Sequence, residues 1–347
     1  MRDHDRPRAD FRALLERVEA ASPTAAIEVV AEELAALVGA RAVSFLIADF
    51  SGRALVRFGT PAHGIPGPRR QGPEQAQTVP LAGTVYERVL RTQQVDVHEL
   101  ADGAHLIVPV TDRGDAVGVI ELILPSYPDD QVVADVAATA HALAYVVIAN
   151  RRHTDLFEWG QRTTPFSLAA EIQRRLLPGS YTCETDRFTL AGWLEPANAV
   201  GGDTFDYNLD RETLHMSITD AVGHEVEAAL LATLLVGSLR NGRRRGLNLR
   251  DQADTANDAL AAHTHAGEFV TDGMLERNAA QLDVAATLRQ TRDLHAREVV
   301  HALGAAVLRA AGNDLRDDAT VVVLDWYGGP LRRRESTHGA SQQYASP

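Results

Sequence analysis

A single cysteine in 347 residues, Cys183, rules out a disulfide framework, a cysteine-rich zinc site and an iron–sulfur cluster, and fits a reducing compartment. Positive charge is also scarce. The 34 Lys and Arg against 47 Asp and Glu leave a net charge of −13, the wrong sign for a protein whose main partner is a nucleic-acid backbone. No long apolar run is free of charge: the most apolar stretch, 132–150, contains Asp135 and His141 and has helical periodicity. It is expected to pack inside a domain and not to cross a membrane. The opening residues Met1-Arg2-Asp3-His4-Asp5-Arg6 lack the apolar core of a signal peptide. A cytoplasmic protein is the expectation. The runs Arg243-Arg244-Arg245 and Arg332-Arg333-Arg334 are local exceptions, read as solvated loop or tail charge.

What remains is an ordinary globular composition, 45% apolar and 23% charged, on a chain too long for one comfortable core. Residues 11–38 have helical periodicity ended by Gly39; 42–48 and 54–58 read as strands joined at Ser51-Gly52. Pro and Gly crowd 59–77, so that stretch reads as a loop. A helix over 83–91, a second hairpin over 105–110 and 116–124, and a helix from Val132 follow. The order helix, two strands, helix, two strands, helix describes an α+β domain over 1–150. With the strand pair Pro109-Val110 and Gly118-Val119-Ile120-Glu121-Leu122, it resembles a GAF domain. The resemblance implies a sensor for a small-molecule or protein signal. His98, His105 and His141 are scattered through it, with no cysteine to anchor a tetrapyrrole. Residues 151–165 read as a polar helical linker. The face from Val133 to Val147 and the helix that follows it are expected to join two copies in a homodimer.

The second half, 166–327, opens with a helix ended by Pro178 and continues with strands over 188–193, 204–209 and 214–220. An apolar helix over 226–240, helices over 249–263 and 296–311, and a strand over 319–326 complete it; 328–347 reads as a disordered tail. A hairpin centred on the turn Asp210-Arg211-Glu212-Thr213 pairs residues whose numbers sum to 423. Asp203 then faces Asp220, Phe205 faces Ile218 and Tyr207 faces Met216, all on one face. Two carboxylates opposite one another need neutralising, and hard oxygen ligands suit a divalent cation. From the hairpin alone, two hydrated carboxylates at a frayed strand end explain it equally well. Asp317-Asp318 before an apolar run, and Thr271-Asp272-Gly273 before a turn, add further acids at strand termini and point to a two-metal centre.

These segments carry a second resemblance. Pro196-Ala197-Asn198-Ala199-Val200-Gly201-Gly202-Asp203-Thr204-Phe205-Asp206, Asp220-Ala221-Val222-Gly223-His224, Glu171-Ile172-Gln173-Arg174-Arg175-Leu176-Leu177-Pro178, Thr271-Asp272-Gly273 and Asp317-Asp318-Ala319-Thr320 stand in the order found in SpoIIE-like PPM phosphatases. The resemblance implies an α-β-β-α sandwich that removes phosphate from phosphoserine or phosphothreonine. It implies that Asp203 and Asp220 carry catalysis, Asp220 bridging two Mn²⁺ or Mg²⁺ ions and Asp203 holding the second. The carbonyl of Ala221, with Asp272, Asp317 and Asp318, would complete the ligands, and a water acidified by the cations would attack phosphorus in line. The expected substrate is a phosphorylated regulatory protein of the anti-anti-sigma type, under control of the GAF-like domain. One departure stands out. Glu268-Phe269-Val270-Thr271 runs straight into Asp272-Gly273, where the family carries several more strands and a Gly-His-Pro-Pro segment. A sandwich shortened in this way exposes sheet edges and inner faces. The alternative expectation is therefore a catalytically inactive relative acting as a sensory or binding regulator.

Overall fold

Asp10 begins the first helix by accepting the backbone N–H groups of Arg12 and Ala13, so α1 covers Phe11–Ala20. Pro23 then starts a 3₁₀ turn, Pro23–Ala25, which splits the single helix expected over 11–38 before α2 (Ala26–Val38) ends on Gly39 at φ 67°. The structure, a computed structural model, describes residues 10–58, 69–70, 76–196, 202–223, 225–263, 270–271, 283–312, 315 and 317–328. They fall into two compact units. One ends at Thr164, and the other runs from Pro165 to Tyr327 apart from a short stretch, Cys183–Arg187, that groups with the first.

In the first unit β1 (Ala42–Ala48) and β2 (Ala54–Phe58) form the expected hairpin. The stretch read as a loop is not free of strand. It contributes β3 (Arg69–Arg70) and the start of β4 (Ala76–Pro80), which pairs along β2. Next come α3 (Val85–Thr92), capped by the Thr84 hydroxyl, then β5 (Asp96–Leu100), β6 (Gly103–Asp112) and β7 (Asp115–Leu124). They make one antiparallel sheet in the order β3-β4-β2-β1-β7-β6-β5. β5 escaped the sequence reading because Asp-Val-His-Glu-Leu has only two apolar residues, as an edge strand can.

One face of this sheet is covered by α1, α2 and α4 (Asp130–Asn150), with Val30, Leu34, Leu106, Val108, Val136 and Leu143 buried between them. α4 is long and apolar enough to span a membrane by length and composition, but half of its most apolar window is buried inside the protein. Between Val133 and Val147, α4 buries Val136, Ala137, Ala140, Leu143, Ala144 and Val147 in the core of its own domain. The stretch read as a polar linker also contributes to that core: α5 (Leu156–Gln161) buries Phe157 completely.

α3 covers the opposite face with Tyr86, Val89 and Leu90 against Leu46, Leu55, Ile107 and Val119. Under it lies a closed polar network. Arg57 on β2, 1% exposed, donates to Glu121 on β7, 3% exposed, and to the side-chain oxygen of Gln77. The Tyr86 hydroxyl donates to Glu121 at 2.6 Å, and His105 lies 3.3 Å from the same carboxylate. Burial pushes Glu121 up, but the His105 hydrogen bond, the Arg57 charge and the Tyr86 hydroxyl together bring it below the ordinary carboxylate range.

The second unit opens with α6 (Leu168–Leu176), which is capped by Ser167 and stops before Pro178. Two three-stranded sheets follow among the described residues. β10 (Thr204–Leu209), β11 (Leu214–Ala221) and β12 (Val270–Thr271) form one; β8 (Thr182–Glu184), β9 (Phe188–Glu195) and β13 (Ala319–Trp326) form the other, in the order β13-β9-β8. The helices α7 (Glu225–Arg244), α8 (Leu249–His263), α9 (Val284–Thr291) and α10 (Ala296–Ala310) pack outside them. α7 buries Ala228, Ala232 and Val236 near Leu176 and Ala221, and α10 lays Ala296 and Val300 on Ala191, Trp193, Val321 and Val323. Between the sheets, the Phe205 ring fills the space that Gly192 leaves; a Cβ there would lie 2.4 Å from it. The expected apolar ladder is only partly buried. Phe205 is 1% exposed, whereas Ile218 and Met216 beside it on β11 are each 42% exposed. Leu324 and Trp326 on β13 are exposed as well. Open inner faces of this kind are what a shortened strand block leaves. The tail reading over 328–347 lies, apart from Gly328, outside the described residues.

Candidate metal centre

The β10–β11 hairpin has the register expected of it. Asp210 N–H donates to the Thr213 carbonyl at 2.8 Å to close the turn, and Thr204↔Thr219, Phe205↔Ile218 and Tyr207↔Met216 are partners. Continued by one step, that register sets Asp203 beside Asp220. On the far side of β11, Asp220 pairs with Thr271 and Ala221 with Val270. So the Thr271 end of the fused segment does arrive next to Asp220. Asp272 itself, like Gly201 and His224, lies outside the described residues.

Gly202 is required where it stands. A Cβ on it would come 2.5 Å from the Ala221 carbonyl oxygen and 2.6 Å from the Ala221 methyl. Only glycine lets the chain before Asp203 pass that close to the carbonyl expected to ligate metal. Gly223, at φ 110°, makes the turn out of β11 in a conformation that L side chains avoid.

β13 brings the other acids from a distant part of the sequence. Asp317 and Asp318 precede it, and Asp318 N–H donates to the Asp317 carboxylate at 2.9 Å. Thr320 on β13 donates from its hydroxyl to Asp203 Oδ2 at 2.8 Å, tying the two sheets together at the site. Above all burial, and then the charges of Asp220, Asp318 and Asp317, push the Asp203 carboxyl up to about 7, against the downward pull of the Thr320 hydrogen bond. A buried carboxylate with three more carboxylates near enough to act on it suits hard divalent cations in its chemistry. Among the described residues, however, no three His, Cys, Asp or Glu side chains converge on one cation position.

Three residues at the site were not singled out from sequence, though each lies inside a quoted motif. Gln173 on α6, 5% exposed, donates through one amide nitrogen to the Asp203 carbonyl at 2.7 Å and to the Asp318 carboxylate at 2.9 Å. Thr320 is the second. The third, Asp206, is 6% exposed and pairs with Arg240 at 2.9 Å and Arg243 at 3.2 Å, while Arg240 also donates to the Leu176 carbonyl. These contacts pin α7 and the end of α6 to β10. Arg243, read as part of a solvated run, is therefore an ion-pair partner of a buried aspartate.

Residues 210–271 match the family model described as Stage II sporulation protein E (SpoIIE), a span from the β10–β11 turn through Asp220 to Thr271. Among solved structures, the chain is similar to the GAF domain of a phosphoenolpyruvate-protein phosphotransferase from Acinetobacter: 12% identity, TM-score 0.34, covering 42% of this chain and 93% of that one. The corresponding domain from Coxiella burnetii shares 16% identity at TM-score 0.34, over 41% and 92% of the two chains. GAF-B of DevS from Mycobacterium smegmatis shares 17% identity at TM-score 0.31, over 38% and 100%. No curated protein matches. The chain is thus similar to the SpoIIE family over residues 210–271, within its second unit.

Proposed function

We propose that the C-terminal domain is a metal-dependent phosphatase for phosphoserine or phosphothreonine on a small regulatory protein of the anti-anti-sigma type, governed by the N-terminal domain. The observation that carries this reading is that the β10–β11 register sets Asp203 beside Asp220 while Thr320, two residues after Asp318, donates to Asp203 from a strand over a hundred residues away in sequence. Asp203, Asp220, Asp317, Asp318 and the Ala221 carbonyl would hold Mn²⁺ or Mg²⁺, with Asp272 joining them by resemblance. Bound there, the cations would supply charge neutralisation at the phosphoryl oxygens and an acidified water. The chain's own part is positional. Thr320 holds Asp203 by one carboxylate oxygen, Gln173 holds its carbonyl, and Gly202 keeps the Ala221 carbonyl within reach.

The test is hydrolysis of a phosphoserine peptide by the full-length protein with Mn²⁺, beside Asp220→Asn. Activity in the native protein that falls at least a hundredfold in the variant is expected; equal turnover by both sinks the reading. A second reading is favoured by the missing strand block and the lack, among the described residues, of three converging ligands. It is an inactive relative that binds partners and senses signals, and it predicts no turnover by either protein.

A further inference from the structure

Two of the histidines scattered in sequence through the first unit meet across its sheet. β5 is an edge strand, and its register sets His98 directly opposite His105 on β6, with Asp96 opposite Ile107. Ile107 packs beneath α3, so Asp96, His98 and His105 share that face. Burial alone would favour apolar side chains there, yet β5 presents an aspartate and a histidine. The two rings lie with their centroids 6.4 Å apart. Each is held at Nε2 by a carboxylate, His98 by Asp96 at 2.7 Å and His105 by Glu121 at 3.3 Å. Behind these acids stand two arginines, Arg88 paired with Asp96 and Arg57 paired with Glu121. Among the described residues, neither Nδ1 is engaged by a hydrogen-bonding group.

We propose that His98 and His105 form a binding site for a transition-metal ion of the Zn²⁺ class, held by the two Nδ1 atoms and completed by water. A carboxylate at Nε2 keeps the proton on that nitrogen, leaves the Nδ1 lone pair for a metal and makes the ring a more basic ligand. The spacing fits as well. With Zn–N bonds of about 2.0–2.1 Å, two imidazoles on one ion have centroids roughly 5–6.5 Å apart. Imidazole favours Zn²⁺, Cu²⁺ or Ni²⁺, whereas the all-oxygen aspartate cluster favours harder cations. No third His, Cys, Asp or Glu side chain converges on the position among the described residues, so the ion keeps water ligands and exchanges. His98, 43% exposed, leaves it a path from solvent. Once bound, the ion staples the polar edge strand β5 to β6. All these residues belong to the first unit, so the inference stands apart from the phosphatase reading.

Calorimetric titration of the full-length protein with Zn²⁺, beside His98→Gln and His105→Gln, tests this. Ions taken up elsewhere, the aspartate cluster included, are common to all three proteins. The native protein is expected to bind one Zn²⁺ more than either variant. Hydrogen exchange supplies the location: peptides spanning 95–101 are expected to exchange about tenfold slower with Zn²⁺ in the native protein, and at the zinc-free rate in both variants. Equal stoichiometry in the native protein and either variant would overturn the proposal, since loss in one variant alone means binding at a single surface histidine. Because His105→Gln also touches the buried network, Asp96→Asn is the second probe. It keeps both rings, removes the carboxylate behind His98 and is expected to weaken Zn²⁺ binding about 10–100-fold. Unchanged affinity in that variant would overturn the proposal too. Neither readout requires turnover, so failure of the phosphatase reading is seen separately, in the peptide assay.

Discussion

The Gln173 amide nitrogen lies 2.9 Å from the Asp318 carboxylate, linking the first helix of the second unit to the entrance of its last strand. The same nitrogen lies 2.7 Å from the Asp203 carbonyl, so both of its protons are used. Gln173→Leu keeps the size and removes both donors. It is expected to weaken Mn²⁺ binding about 10–100-fold, as loss of a group that orients metal ligands does. Titration calorimetry reads this directly, and Gln173→Glu, which cannot donate, should fare no better.

Gly202→Ala places a methyl within 2.6 Å of the Ala221 carbonyl oxygen and side chain. The hairpin must move to admit it, at a cost of about 1–3 kcal/mol. A drop in the unfolding midpoint of the C-terminal domain together with loss of metal binding is expected. Unaltered metal binding would mean that the Ala221 carbonyl is not a ligand.

Arg57→Met in the N-terminal domain leaves Glu121 charged, buried and without its ion-pair partner. Removing one partner of such a pair costs about 3–5 kcal/mol, far more than an exposed ion pair is worth. Urea unfolding followed by circular dichroism measures it. The double variant Arg57→Met with Glu121→Leu should recover most of the loss.

Glu121 also sets an acid limit. Its folded-state value lies below the ordinary one, so its contribution is complete above about pH 4.3, the unfolded value, and disappears as pH falls through the folded value. Stability of the N-terminal domain should therefore fall with acid below about pH 4.3. In Glu121→Gln the curve should be flatter over that range, whatever its absolute height. Parallel curves would assign the acid sensitivity to other groups.

The amino-acid sequence by itself determined whatever depends on near neighbours. The turn at Asp210–Thr213 sets the β10–β11 register, because a hairpin's pairing follows from its turn, and so Phe205 opposite Ile218 was legible. Strand β13 and helix α8 were legible too, since an apolar run and a helical period are local signals. Strands β4 and β5 were not, because proline-rich flanks and polar edge residues mask a strand that only its neighbours stabilise. The motifs named Asp203 and Asp318 but not what holds them. Gln173 to Asp318 spans 145 residues and Thr320 to Asp203 spans 117, and no local pattern encodes a contact made only when two sheets and a helix pack. The same holds for Asp49 and Thr163, which read alone as a turn aspartate and a linker threonine. Which carboxylates are buried, which are paired and which repel one another is decided by the solvent that packing removes, and so by the tertiary structure alone.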